Sequence, residues 1–264
     1  MNRITSMFNT LKQQNQKAFI GFLTAGDPDL ETCKKLILEL DKNGCDLIEL
    51  GVPFSDPIAE GPVIQEANLR ALASGNTTKK TIQLVKEVRE LIDTPLVFLL
   101  YYNQVFKYGT EKFMQEVSEA GLDGLIIPDL PYEHHNEIKP IASKYNVEII
   151  SLITPVSQNR KEMVAKASSG FLYCVTSTGV TGVRSSFKAD LKAFIEELNQ
   201  YTTTPKALGF GIGTPEQVAN MKEYADGIIV GSAIVKEIAK ISTNENTIED
   251  VGRFVKSLAD ACHN

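Results

Sequence analysis

The sequence predicts a parallel (β/α)8 TIM barrel, and three observations carry that prediction. Eight short, β-branched runs alternate with segments of helical periodicity along the whole chain. No two of these runs are joined by a tight hairpin turn, so parallel pairing through intervening helices is the consistent arrangement. Gly44, Gly121 and Gly170 each precede a run, where a glycine ends the helix before it. An open, doubly wound sheet shares the alternation and is the rival architecture. No linker or low-complexity stretch divides the chain, so residues 1–264 read as one barrel domain.

The elements follow in order. Asn2 to Gln14 is polar and helical, and is expected to cap the bottom of the barrel. Strands are expected at Ala18 to Thr24, Asp46 to Leu50, Leu96 to Tyr101 and Gly124 to Pro128. The second half adds Glu148 to Leu152, Gly170 to Val175, Lys206 to Phe210 and Gly227 to Val230. Between them, Leu30, Cys33, Ile37 and Leu40 share one helical face, as do Ile82, Val85, Val88 and Ile92. Two strand-to-helix connections are extended. Pro53 to Gly75, after strand two, is too long for an ordinary connection and should carry its own short helix. Thr176 to Lys188, after strand six, is polar and dotted with glycine, as a lid would be.

Composition narrows the function classes. A formal charge of -6, with no stripe of Lys and Arg, argues against nucleic acid. The longest apolar runs, such as Pro95 to Leu100, are too short to span a bilayer, and the polar start of the chain does not read as a signal peptide. Cys33, Cys45, Cys174 and Cys262 are scattered, which suits reduced thiols in a cytoplasm.

Barrel enzymes work at the C-terminal ends of their strands. The polar residues expected there are Thr24, Asp27, Glu49, Asp56, Glu60, Asn103, Asp129 and Tyr173. Glu49 ends an apolar strand, where a charge costs free energy unless it is paired, so it is a candidate for chemistry. Its structural alternative is an ion pair, for which only Lys107 and Arg184 stand nearby, both in loops. Glu60, on the Pro/Gly-rich loop that follows, would let the two carboxylates divide acid and base roles. Asp56 lies in Ser-Asp-Pro, a strong turn signal, and Asp129 reads as a loop anchor. His134 and His135 open a helix and read as a solvated first turn. No metal-spaced cluster and no Ser-His-Asp set appears, so no metal is expected and carboxylates are the natural proton carriers.

A second signal is phosphate. Gly209-Phe-Gly-Ile-Gly213 follows strand seven, and Gly231-Ser232-Ala233 follows strand eight and opens a short helix, Ala233 to Ile238. Glycines let backbone amides approach an anion, and a helix N-terminus adds a favourable dipole. Loops seven and eight form the phosphate site of many barrels, although such glycines also serve tight turns.

The chain resembles the α subunit of tryptophan synthase over essentially its whole length. The matching stretches include Glu49-Leu-Gly-Val-Pro-Phe-Ser-Asp-Pro57, Glu60-Gly-Pro-Val-Ile-Gln65, Thr24-Ala-Gly-Asp-Pro28, Asp129-Leu-Pro131, Gly179-Val-Thr-Gly182, Gly209-Phe-Gly-Ile212 and Gly231-Ser-Ala-Ile-Val235. The resemblance implies a lyase that cleaves indole-3-glycerol phosphate to indole and glyceraldehyde 3-phosphate, with no cofactor in this chain. It assigns acid–base work to Glu49 and stabilisation of the indole nitrogen to Glu60. It places phosphate on Gly182, Gly211, Gly231 and Ser232, and indole among Phe22, Leu99, Ile126 and Phe210, which serve equally well as barrel core. Tyr173 and Thr181 would help to close the site.

The same resemblance implies an α2β2 assembly with a β subunit that holds pyridoxal phosphate and consumes the indole. Asp56, Pro57 and exposed Tyr101, Phe106 and Tyr108 would face that partner. One position departs from the family: the second carboxylate is usually Asp, and here it is Glu60. The extra methylene moves the charge by roughly 1.5 Å, and misplacement on that scale can cost on the order of a hundredfold in rate. Either the loop sits further back and Glu60 still reaches the nitrogen, or Glu60 is diverted and the subunit leans on its partner. A free-standing lyase and a weakly catalytic activator of the partner are the alternative functions.

Overall fold

The structure is a computed structural model that describes residues 2–157, 160–176, 185–209 and 211–264, with the backbone alone for 185–189. Eight strands close into a parallel barrel in sequence order: β1 (Ala18–Thr24), β2 (Leu47–Gly51), β3 (Leu96–Leu99), β4 (Gly124–Ile126), β5 (Glu148–Ile153), β6 (Leu172–Val175), β7 (Lys206–Gly209) and β8 (Gly227–Val230). β1 pairs with β8, Ala18 lying opposite Gly227, so the sheet has no open edge and the doubly wound alternative falls. All eight expected strands are present. β3 and β4 end earlier than expected because the backbone N–H of Tyr101 turns to the side chain of Gln104, starting a helix, and Pro128 has no N–H to give.

Twelve helices surround the barrel among the described residues. They are α1 (Arg3–Gln13), α2 (Leu30–Lys42), α3 (Pro62–Ala73), α4 (Thr78–Arg89), α5 (Tyr102–Tyr108), α6 (Thr110–Glu119), α7 (His135–Lys144), α8 (Lys161–Ala167), α9 (Ser185–Tyr201), α10 (Pro215–Met221), α11 (Ser232–Ala239) and α12 (Ile248–His263). The extended second connection does carry its own helix, α3. The lid expectation is only half answerable: residues 177–184 lie outside the described residues, whereas Ser185 to Lys188 already belong to α9 and are not loop.

Period-two alternation sorts the strand side chains into two cores. Ile48 and Leu50 of β2 face outward and pack in the layer between strands and helices. Leu47 faces inward with Ile20, Val97, Ile126 and Ile150, and Ile4, Phe8 and Leu11 of α1 join the same cluster from below. Helix α1 is thus the bottom plug that its periodicity predicts. The Asn2 side chain caps it, accepting from Ile4 N–H at 2.9 Å, and ties it to the barrel by donating to the Asp123 carbonyl at 2.9 Å. The cysteines are buried free thiols, and among the described residues no helix is long and apolar enough to cross a membrane.

Two expectations need correction. His135 is buried, its ring set against Tyr132, and only His134 matches a solvated turn, bonded to Glu137 at 2.7 Å. Tyr101 is also buried, for a reason that lies in the site.

Candidate active site at the barrel mouth

Glu49 shares the inward face of β2 with Leu47, so the strand delivers its carboxyl to the interior near the C-terminal end. The residue is 1% exposed, and its Oε2 has no hydrogen-bond partner among the described residues. Burial and the charge of Glu60 together push its pKa up to about 8, so the carboxyl holds its proton at neutral pH. Among the described residues no cation pairs with it, and Arg184, one of the two cations of the ion-pair reading, lies outside them. Tyr173 stands close enough that the charge of Glu49, added to burial, raises its phenol well above the ordinary value.

Glu60 rides the loop just before α3, whose N-cap is Gly61. Its carboxylate accepts a hydrogen bond from the Tyr101 hydroxyl, and the Tyr101 oxygen accepts the backbone N–H groups of Ile58 and Ala59, both at 2.8 Å. Tyr101 is therefore 4% exposed and points under the second loop instead of out to a partner. Spacing gives no hint of this contact, and a tyrosine ending an apolar strand reads equally as surface or core.

Helix α3 folds back over the mouth. Its Val63, Ile64 and Ala67 pack with Phe22, Leu99 and Val235 into an apolar wall beside the carboxylates. Ile126 lies deeper, in the interior cluster. The wall is built by close approach: a Cβ on Gly51 would stand 2.7 Å from Phe22 Cζ, and one on Gly209 would stand 2.7 Å from Tyr173 Cε1. Glycine at both strand ends makes room for the rings. The helix itself is anchored by Arg70, which grips Asp27 of the first loop, a pairing that removes Asp27 from the candidate catalytic set.

Gly211 has φ +74°, and Gly231 is the N-cap of α11, with Ser232 its first residue. Both glycine loops thus stand at neighbouring strand ends on the same rim. Thr181, Gly182 and Phe210 lie outside the described residues. Asp129 accepts the Tyr102 N–H at 2.9 Å, as an anchor does. A separate cavity of about 270 Å³ opens between the loops after β4 and β5, but its cation, Arg160, is engaged by Glu133, and none of the rim glycines lines it.

On the surface, Asp56 is exposed and accepts from the neighbouring Ser55 hydroxyl, and Pro57 is partly buried. Phe106 is 67% exposed. Tyr108 is partly covered, edge-on to Phe113 with its hydroxyl on Glu116.

Barrel and mouth together place the chain in the (β/α)8 class, with a buried carboxyl group and a second carboxylate at the C-terminal ends of its strands. A family model described as tryptophan synthase alpha chain matches residues 8–263, and the chain belongs to that family. It is 48% identical over 260 residues to the tryptophan synthase alpha chain of Caldanaerobacter subterraneus, covering 98% of this chain and 99% of that one. Against the alpha chain of Clostridium kluyveri the identity is 44%, covering 98% of each. A crystal structure of the Legionella pneumophila alpha chain superposes with a TM-score of 0.90 at 34% identity, covering 99% of this chain and 97% of that one. A Mycobacterium tuberculosis tryptophan synthase structure gives 0.90 at 30% identity, covering 100% and 99%. The role of the chain is that of the alpha subunit in tryptophan biosynthesis, and its reaction is the lyase cleavage of indole-glycerol phosphate.

Proposed function

We propose that Glu49 is the proton carrier of this cleavage and that Glu60 stabilises the indole nitrogen. Cleavage begins when the protonated Glu49 carboxyl gives its proton to indole C3, leaving an iminium at the ring nitrogen. Glu60 accepts the ring N–H as positive charge develops there. Glu49, now a carboxylate, takes the proton of the glycerol hydroxyl on the carbon bonded to C3. That hydroxyl becomes the aldehyde, the carbon–carbon bond breaks, and its electron pair restores the indole. Glu49 ends protonated, so the cycle closes without net proton change.

The remaining residues divide by polarity. Phe22, Leu99, Ile126 and Phe210 receive the indole, and Tyr173 and Thr181 close over it. The phosphate takes the amides of Gly182, Gly211, Gly231 and Ser232, which is supported by the two glycine loops on one rim and the N-terminus of α11. Residues 1–264 act as one domain with no cofactor of their own. The partner is a tryptophan synthase β subunit holding pyridoxal phosphate, in an α2β2 assembly in the cytoplasm, met by Asp56, Pro57, Phe106 and Tyr108. Tyr101, being buried, would serve that contact only from beneath the loop.

One observation carries the reading: a buried carboxyl with an unpartnered oxygen, raised to about 8, beside a second carboxylate. The test is indole release from indole-3-glycerol phosphate by wild type and Glu49→Gln, alone and with a β subunit. Glu49→Gln is expected to lose at least about a hundredfold in kcat. Undiminished release by that variant would reject Glu49 as the carrier.

A further inference from the structure

We propose that Tyr101 is a positioning residue of the cleavage reaction, holding Glu60 and the peptide before it so that the carboxylate stands beside Glu49. The inference rests on the acid–base reading of those two carboxylates.

A phenol oxygen has two lone pairs and one proton. At Tyr101 both lone pairs are taken, by the N–H groups of Ile58 and Ala59 at 2.8 Å each. The proton is left for the carboxylate of Glu60. Three consecutive residues of the loop therefore hang on one atom. Besides these bonds the Glu60 carbonyl accepts from Gln65 Nε2 at 2.9 Å, while Ile58 is 82% exposed.

The atom itself is fixed from elsewhere. Tyr101 is the N-cap of α5, and its N–H donates to Gln104 Oε1 at 3.1 Å. Gln104 Nε2 in turn donates to the Pro53 carbonyl at 3.1 Å, where the loop begins. The Tyr101 ring lies against Phe54, with centroids 5.0 Å apart, and Phe54 N–H donates to Asn68 of α3 at 3.2 Å. The hydroxyl is thus set by contacts with β3, α5 and α3. This is the geometry of a rigid support holding a functional group, and not of a loop holding itself.

The direction of the bond also matters. Because the tyrosyl oxygen accepts twice, it meets Glu60 only as a donor, and the Glu60 oxygen it holds is an acceptor. The length of glutamate fits the arrangement: an aspartate would retract the carboxylate by roughly 1.5 Å and leave the tyrosyl donor behind.

The test is a set of kinetic measurements on indole-3-glycerol phosphate cleavage by the chain with a tryptophan synthase β subunit. Tyr101→Phe keeps the ring and its packing on Phe54 and is expected to lower kcat about 10- to 30-fold, with KM within about threefold. On a Glu60→Ala background the same change should cost less than about threefold, since its target is gone. Multiplicative losses in the double variant, or a fully active Tyr101→Phe, would overturn the proposal. Should Tyr101→Phe not fold, Glu60→Asp reports from the other side: a fall in kcat at unchanged KM is expected, and equal or higher turnover overturns the proposal. Glu49→Gln, run in parallel, separates the levels. If it remains active, the acid–base reading fails and this inference falls with it; if it is dead while Tyr101→Phe is normal, only the inference fails.

Discussion

Arg70 holds the buried carboxylate of Asp27 in two parallel hydrogen bonds, Nε to Oδ1 at 2.7 Å and Nη2 to Oδ2 at 2.8 Å. Asp27 is 1% exposed, and burial pushes its pKa up against the opposing pull of the guanidinium. Cutting one side of such a pair leaves an uncompensated buried charge. Arg70→Met should therefore lose about 3 kcal/mol of stability at pH 7, read as a lower urea midpoint. Because Arg70 also pins α3, whose apolar residues form the wall proposed to receive the indole, KM should rise with it. A variant as stable as wild type would mean that water, and not Arg70, satisfies Asp27.

Glu49 predicts a pH signature that does not depend on activity. Its folded pKa is about 8, raised from 4.5 by burial and then by Glu60. Between those values the unfolded chain has released this proton and the folded chain has kept it. Stability contributed by this group is thus present below pH 4.5 and lost as pH rises towards 8. Glu49→Gln removes the loss, so at pH 7 the variant should be more stable than wild type, by on the order of 3 kcal/mol. The gap should close as pH approaches 4.5. Catalysis runs the same way with pH: with Glu49 as the proposed proton carrier, cleavage needs the protonated carboxyl, so wild-type turnover should fall above about pH 8. Equal stability of the two proteins at pH 8 would contradict a buried, proton-holding Glu49.

The barrel was readable because strands and helices impose different periods, and the glycines that separate them punctuate the chain. Glu49 was readable for a related reason: a charge in an apolar strand has no folding role to explain it. The end of β3 was not readable, because Gln104 decides it by capturing the Tyr101 N–H, a contact that competes evenly with one more strand residue. Tyr101 reads as exposed from the sequence and is buried in the fold. Its partners in the second loop are 41 to 43 residues away, and no local pattern records so distant a bond. The Asp27–Arg70 pair spans 43 residues and was hidden in the same way. Sequence shows which residue types stand at strand ends; only the closed fold shows which of them have already been satisfied.

His263 closes α12 onto the start of β2, with Nε2 2.7 Å from Asp46 Oδ2. The hydrogen bond to Asp46 is the chief cause that raises the imidazole pKa, against burial, which lowers it. A raised histidine contributes stability that is complete below the unfolded value of about 6.5 and lost as pH climbs through the folded pKa. His263→Gln should therefore lower stability by about 1 kcal/mol at pH 6, with the difference shrinking at pH 9. Parallel wild-type and variant unfolding curves across that range would remove the linkage.

Gly51 and Phe22 make the most direct test of the mouth as built. A methyl group at Gly51 would meet Phe22 Cζ at 2.7 Å and Cε2 at 2.9 Å, both on a ring that packs against Ala67 and Val235 and has little room to turn. Gly51→Ala should cost roughly 1–3 kcal/mol through overpacking. Since the ring that must move lines the apolar wall, KM for indole-3-glycerol phosphate should rise more than kcat falls. Shortening the obstacle should relieve the clash, so Phe22→Leu combined with Gly51→Ala should recover stability relative to Gly51→Ala alone. If the two changes instead add, the lost stability lies in the strand backbone at Gly51 and not in the Phe22 contact.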